Sequence, residues 1–387
     1  MNGRGLALHV SPTDLNLQNR IGRVTRFVRA RGFFENVEVA GIRTGDLAAA
    51  EIQDDGRIYR RFRVRKALRE WSRLTRALDF LIWYAQILWF YLPRPLACVS
   101  AHTLSVLPLC WILAGLKGCK LVYEPHELET ETMTAQGAAK PLLKFVERLF
   151  IGGADAVILV NGAIAEWYRG TYGLGRVYVV RNLPAPGLRD PFPPGHYARH
   201  FAFPESDMVF LYQGLIAAGR GIDLLLAAAA RMPPDRHIVI LGFGADVQSV
   251  RDATKRLPNV HYHPAVPGDM LLRYTAAADA ALMMIEDVSL SYRYCYPNKY
   301  CESLTAGVPL ICSDFLWLGG EVAHYGCGWL CAYDADALAG LLGKLGRGDI
   351  AAMRSGAQTW ARDNNWAKEE NVLGEIYDML ARETAPP

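Results

Sequence analysis

The stretch Tyr296-Pro297-Asn298-Lys299-Tyr300-Cys301-Glu302-Ser303-Leu304-Thr305-Ala306-Gly307-Val308-Pro309-Leu310 has the punctuation of a short helix that closes onto a strand. Pro297 suits a first helical position, and Gly307 suits the residue just past a helix end. A helix start carries unsatisfied backbone N–H groups and partial positive charge, so it accepts phosphate, and Lys299 adds a full charge at the same end. Glu302 comes three residues after Lys299 and four after Asn298, which places all three on one helical face. A carboxylate one turn in from an anion site can accept hydrogen bonds from a ribose diol, so the implied ligand is a ribonucleotide. The plainer alternative is a solvated helix start, with Lys299 and Glu302 a surface pair worth about 0.3 kcal/mol. The surrounding chain weighs toward the first reading.

Outward from that stretch, short apolar runs alternate with helical segments. Strands are expected at 6–10, 36–40, 96–100, 120–123, 156–160 and 177–181, with helical periodicity at 20–31 and 140–150 between them. A proline-rich interval, from Leu183 to Pro204, then breaks the pattern as an interdomain linker would. Alternation resumes with strands at 209–213, 237–241, 259–263, 280–285 and 309–312. The pattern predicts two α/β domains, each a parallel sheet wrapped by helices, with ligands beyond the C-terminal strand ends.

Two loops carry further chemistry. After the strand at 209–213 come Gly214-Leu215-Ile216-Ala217-Ala218-Gly219-Arg220-Gly221 and then a helix. Glycines let backbone approach an anion, and Arg220 can grip phosphate oxygens with its planar fork; a Gly-rich turn with an exposed arginine is the alternative. The strand at 239–241 ends in Gly242-Phe243-Gly244, half of a dinucleotide fingerprint, but Val247 stands where the third glycine belongs. Gly242 still permits close approach to a base or ribose. In the first half, the strand at 120–123 runs into Glu124-Pro125-His126-Glu127-Leu128-Glu129. His126 would sit at a strand's C-terminal edge, able to accept a proton or to bond a sugar hydroxyl. Glu127, Glu129 and Glu131 could instead serve the start of the next helix. His102 occupies a similar strand edge. His261 and His263 flank Tyr262 at strand spacing, lack a third ligand and read as structural.

Length and composition set bounds. The 387 residues are 51% hydrophobic, enough for two full cores. A net charge of +3 does not support a nucleic-acid binder. The cysteines lack a CxxC pair and sit mostly in apolar runs, as reduced core residues of a cytoplasmic protein do. Residues 1–10 lack the apolar core of a signal peptide, and the most hydrophobic stretch, 80–92, is shorter than the roughly 20 residues that span a bilayer. Upstream of it lie Arg57, Arg60, Arg61, Arg63, Arg65, Lys66, Arg69, Arg73 and Arg76, nearly unopposed by acids. A basic stretch leading into Trp83, Tyr84, Trp89, Phe90 and Tyr91 fits an edge resting on an anionic membrane surface; the alternative is a buried helix preceded by solvated arginines.

With these residues in view, the chain resembles the retaining GT-B glycosyltransferases of family four, of the bacterial polysaccharide type. Pro297-Asn298-Lys299, Glu302, Ala306-Gly307-Val308-Pro309 and Ser313-Asp314 resemble that family's donor signature. The loop 214–221 is similar to its Gly-Arg-Leu-x3-Lys-Gly loop, and Tyr123-Glu124-Pro125-His126-Glu127-Leu128 to its Tyr-Asp-x-His-Glu-Leu segment. The matches fall in both halves and in order. The resemblance implies two Rossmann-like doubly wound parallel-sheet domains facing a central cleft. Residues 1–183 would form the acceptor-binding domain, and 184–365 the nucleotide-sugar donor domain. A final helix within 366–387 would cross back to the first domain, with Val372, Ile376 and Leu380 on one face.

The implied reaction moves a hexosyl-type sugar from a nucleotide diphosphate sugar, a UDP-sugar foremost, to an acceptor hydroxyl with retention. The implied acceptor is a lipid-linked saccharide in bacterial exopolysaccharide, capsule or lipopolysaccharide synthesis, used by a cytoplasmic enzyme at the inner face of the plasma membrane. No cofactor beyond the donor is implied. No Asp-x-Asp motif stands at a strand end, so no metal is expected. By position, Arg220 and Lys299 would contact the diphosphate, with Gly214, Gly242 and Asn298 completing the donor side and Glu302 on the ribose. His126 would meet the transferred sugar, with His102 and Glu127 on the acceptor side. Two departures stand out: Leu215 replaces the family's diphosphate arginine, and Tyr294 replaces the first glutamate of its Glu-x7-Glu pattern, with Glu286 and Asp287 nearby in sequence. They keep two other readings open, a nucleotide-sugar epimerase on the same scaffold and a noncatalytic partner subunit.

Overall fold

The computed structural model describes residues 5–16, 19–64, 73–135, 137, 139–184 and 190–383. They divide into two compact units, one of Met1–Arg181 with Glu369–Pro387 and the other of Asn182–Lys368.

The first unit is built on β1 (Leu6–Val10), β2 (Asn36–Arg43), β3 (Ala50–Ile52), β4 (Ile58–Arg63), β5 (Leu96–Ala101), β6 (Lys120–Tyr123), β7 (Ala156–Leu159) and β8 (Val177–Val179). Their order across the sheet is β3-β4-β2-β1-β5-β6-β7-β8, parallel throughout except for the antiparallel β3–β4 edge. Its helices are α1 (Asn19–Arg31), α2 (Arg73–Tyr91), α3 (Leu107–Lys117), α4 (Ala139–Ile151) and α5 (Gly162–Tyr172). The chain leaves β1 in one direction and returns through β5 in the other. The switch point therefore lies between the C-terminal ends of these two strands, where ligands collect in such sheets.

The second unit carries β9 (Met208–Leu215), β10 (Arg236–Phe243), β11 (Val260–Pro264), β12 (Ala280–Met283), β13 (Leu310–Ser313) and β14 (Gly328–Cys331) in the order β11-β10-β9-β12-β13-β14, all parallel. Between and after them run α6 (His196–Phe201), α7 (Ile222–Ala229), α8 (Val247–Thr254), α9 (Gly268–Ala276), α10 (Leu290–Arg293), α11 (Asn298–Thr305), α12 (Gly319–Tyr325), α13 (Ala335–Lys344) and α14 (Arg347–Asp363). Phe210, Tyr212, Ile238 and Ile240 face one core of this sheet, and Val209, Leu211, Val239 and Leu241 face the other. Covering both faces is why these strands read as unbroken apolar runs. The last helix, α15 (Trp366–Glu383), lays Tyr377 against Phe33 and Phe34 of the first unit, and Glu369 accepts from the backbone and side chain of Arg181.

The run of arginines departs from its expected role. Arg57, Arg60 and Arg61 belong to β4 and the turn before it, and each is held by a carboxylate: Arg57 by Asp55, Arg60 by Glu38 and Arg61 by Glu51. Arg57 and Arg61 are buried, and their remaining donors reach Gly22, Thr25 and the Asp14 carbonyl. The acids that oppose them are distant in sequence or sit in the hairpin, so the run looked unpaired. Arg65, Lys66 and Arg69 lie outside the described residues, as do the side chains of Arg73 and Arg76. In α2 both alternatives have a share: Trp83 and Tyr91 are buried, whereas Trp89 is 85% exposed. Among the described residues, no helix is long and apolar enough to cross a membrane.

Candidate functional site

Both features expected to take phosphate sit at the C-terminal end of the second sheet. β9 runs into the loop 214–221, and α7 starts after Gly221, whose φ is +79°. On the neighbouring strand Gly242 pairs with Gly214, and a side chain at Gly242 would run into the Gly214 carbonyl, so β10 passes β9 at this point only as glycine. α11 begins at Asn298, capped by Pro297, one position earlier than its expected place inside the helix; Gly307 follows the end with φ +71°. The first N–H groups of such a helix have no intrahelical acceptor. Together these elements enclose a cavity of about 300 Å³. Gly214, Arg220, Gly242, Asn298, Lys299 and Glu302 all line it.

The electrostatics of this cavity suit an anion. Lys299 Nζ stands 3.7 Å from the ring centre of Tyr212, and the Arg220 guanidinium lies 5.2 Å from that of Tyr292. Among the described residues no carboxylate forms an ion pair with Arg220. Burial, and then the nearby Arg220, bring the Lys299 ammonium down to about 7, with Glu302 opposing the shift. Arg220 and Lys299 line one cavity and repel each other there, so an anion between them would be attracted by both. Glu302 is oriented by a side chain that the sequence did not single out: Gln213 Nε2 donates to Glu302 Oε2 at 2.8 Å, and Thr275 Oγ1 donates to Gln213 Oε1 at 2.7 Å. Gln213 carries no motif; only its place at a strand end before a glycine loop could have marked it.

The departures from the resemblance also take a place. Leu215 and Phe243 line the cavity, more than two-fifths exposed, and present apolar surface where the family has an arginine. Tyr294 caps α10. Asp287 is clasped by both the Nε and Nη2 of Arg293, and neither it nor Glu286 lines the cavity.

In the first unit, the ends of β1, β5 and β6 bring together a buried polar cluster. Arg20 Nε donates to Glu124 Oε1 at 2.8 Å and its Nη1 to the Val180 carbonyl. His9 Nδ1 and His102 Nε2 share a hydrogen bond of 3.0 Å, and His102 Nδ1 faces Glu124 Oε2 at 3.6 Å. The His126 ring stands edge-on to that of His102, and its buried Nε2 has no partner. Burial holds His9, His102 and His126 at about 3, helped by a neighbouring cation or ring, so all are neutral near pH 7. His102 is completely buried within the cluster, between His9 and Glu124, which does not suit the acceptor-side place expected of it, while His126 is only partly buried and Glu127 is exposed. His102, Glu124 and His126 each offer one ligand atom, all within 4.8 Å of one another. The Arg20 guanidinium already neutralises that carboxylate, which disfavours a dication there and favours neutral hydroxyl groups. His261 takes the structural place expected of it, bonded to His237 and stacked on Phe201.

Residues 17–183 match the family model of the glycosyl transferase 4-like domain, and residues 207–346 match that of the glycosyl transferases group 1. No curated protein sequence matches the chain. Among solved structures, sucrose-phosphate synthase from Thermosynechococcus elongatus aligns with a TM-score of 0.80 at 17% identity, over 98% of this chain and 100% of that one. Anabaena HepE in complex with UDP-glucose aligns with a TM-score of 0.74 at 15% identity, over 97% and 100%. WaaG, a glycosyltransferase involved in lipopolysaccharide biosynthesis, aligns with 0.65 at 16% identity, over 97% and 99%. Two domain matches in order, on two parallel-sheet Rossmann-like units, assign the protein: it belongs to the GT-B glycosyltransferases that join a glycosyl transferase 4-like domain to a group 1 domain.

Proposed function

We propose that the protein transfers a hexosyl group from a UDP-sugar to an acceptor hydroxyl with retention at the anomeric carbon, and that the acceptor is a lipid-linked saccharide at an anionic membrane surface. The observation that carries the donor half is the single cavity shared by Arg220, Lys299, Glu302 and the start of α11. Two cations and a helix start would bind the diphosphate without a bound metal, and Glu302, aligned by Gln213, would accept from the ribose hydroxyls. HepE, whose structure holds UDP-glucose, supports the choice of base, and WaaG, involved in lipopolysaccharide biosynthesis, supports the class of acceptor.

In the reaction, the bond from the anomeric carbon to the diphosphate oxygen breaks, and the bond to the acceptor oxygen forms on the same face. The leaving oxygen gains the negative charge that Arg220 and Lys299 stabilise. The acceptor proton passes to that departing phosphate, a stronger base, with a second pKa of about 6, than a histidine held at about 3. His126 would therefore bond a sugar hydroxyl as a neutral imidazole. Incubation with UDP-sugars and a lipid-linked acceptor, followed by NMR of the product's anomeric configuration, tests the reading. An inverted product would remove retention. Donor isomerised without acceptor would indicate an epimerase, and no turnover with any donor would indicate a noncatalytic subunit.

A further inference from the structure

The outer surface of three adjacent helices in the first unit is turned inside out. α4 points Leu142, Phe145 and Leu149 at solvent, each about three-fifths exposed, and buries its one acid. That acid, Glu147, accepts from the hydroxyls of Tyr123, Tyr168 and Tyr172 beneath the helix. α3, which packs against α4, exposes Trp111 and Leu116 and contains no acid at all. α2, which packs against α3, exposes Leu81 and Trp89 and buries its only acid, Asp79. The three outer faces thus carry apolar side chains and no carboxylate.

Cations border them. Arg148 is exposed beside Leu149, and Lys117 ends α3; among the described residues neither pairs with a carboxylate. Lys140 and Lys144 both reach the single Glu131, which leaves one positive charge uncompensated. Three helices packed in sequence that expose large apolar side chains, bordered by cations and carrying tryptophans, suit the interface of an anionic bilayer. Lipid headgroups of negative charge need only the cations, and acyl chains only the apolar side chains.

We propose that the outer faces of α2, α3 and α4 form the membrane-contact surface, with the α4 stripe Leu142, Phe145 and Leu149 entering the headgroup region of an anionic leaflet. This deepens the reading of a lipid-linked acceptor given above. It also moves the contact away from the arginines of β4, which are committed inside the unit.

Co-flotation with vesicles tests it without any need for turnover. The full chain should float with phosphatidylcholine vesicles that contain phosphatidylglycerol, and much less with phosphatidylcholine alone. A triple variant, Leu142→Ser with Phe145→Ser and Leu149→Ser, should lose on the order of tenfold or more in vesicle binding. Its thermal shift on adding UDP should stay that of the parent, which shows that the fold is kept. Lys117→Glu with Arg148→Glu should abolish the preference for the anionic lipid. Unchanged flotation of the triple variant, or no flotation of the parent, would overturn the proposal. So would a parent that elutes as a dimer and a triple variant that elutes as a monomer, since the face would then be a contact between copies. A parent that floats but shows no UDP shift would instead count against the donor reading and leave the membrane face standing.

Discussion

Lys299 Nζ rests 3.7 Å from the centre of the Tyr212 ring, and Lys299 lines the same cavity as Arg220. Its charge is therefore kept by a π-face and opposed by a guanidinium and by burial. With the free value near 7 and a diphosphate raising it, donor binding takes up a proton above pH 7. UDP affinity should change little below pH 7 from this source and weaken by up to about tenfold per pH unit above it. Titration calorimetry in buffers of different ionisation enthalpy would detect the proton. Lys299→Arg should remove the slope, since a guanidinium stays charged. A slope that persists in that variant would assign it elsewhere.

The same depressed value makes stability depend on pH. The unfolded lysine has the ordinary value of 10.5, so between about 7 and 10.5 the unfolded state holds more protons and stability rises with pH. Lys299→Met should flatten that rise, raise the Tm near pH 7 and eliminate the shift produced by UDP. A lower Tm would mean that the ammonium stabilises the fold rather than serving the ligand.

The relay from Thr275 through Gln213 to Glu302 makes a sharper prediction about the ribose. Glu302→Ala should weaken UDP by roughly tenfold to a hundredfold, the loss of a charge-assisted hydrogen bond worth about 1.5–3 kcal/mol. The same variant should bind UDP and 2′-deoxy-UDP nearly alike, whereas the parent should discriminate between them. Gln213→Leu should give a smaller loss with the same sign, because it removes only the orientation. Additive effects of the two changes would refute the relay, since coupled positions in contact do not add.

The sequence made the two sheets legible because central parallel strands are covered on both faces and so appear as apolar runs, as 6–10 and 120–123 do. It hid one side of each sheet: the short edge strand β3 with its neighbour β4, which is half arginine, and the edge strand β14, four residues beginning with glycine, all without the apolar run of a central strand, whereas the opposite edges β8 and β11 were legible. The cavity was legible because glycines and a capped helix leave local punctuation. Gln213 left none, since its role depends on a carboxylate 89 residues away. Likewise Glu147 looks like an ordinary helical surface acid until the three tyrosines beneath it are seen.

That buried acid is a stability element. Burial raises the Glu147 carboxyl above its ordinary value, although the three hydroxyls pull it the other way. A raised folded value means that this group's contribution is complete below pH 4.5 and declines as pH rises through the folded value. Glu147→Gln should remove that dependence at small cost. Glu147→Ala should destabilise by about 3 kcal/mol or more, because the buried hydroxyls of Tyr123 and Tyr168 and the partly buried one of Tyr172 lose their acceptor. Urea denaturation of the two variants at pH 5 and pH 8 would separate these effects; equal behaviour would mean that water reaches the tyrosines.

His126 bears on the chemical step. A general base with an ordinary imidazole value would give the rate an acidic limb near pH 6.5, whereas a ring held at about 3 by burial and by Arg20 gives none. The expected kcat/KM profile is therefore flat from pH 5.5 to 7 so far as this residue is concerned. His126→Asn, which can still donate a hydrogen bond, should retain more activity than His126→Ala, with the alanine variant down by roughly tenfold to a hundredfold. Glu124→Gln weakens the contact to Arg20 and leaves the guanidinium beside His126 unneutralised. It should push the ring further from protonation and leave the profile flat. An acidic limb near 6.5 that disappears in His126→Asn would show proton transfer at this imidazole, and would replace the phosphate as the acceptor of the proton.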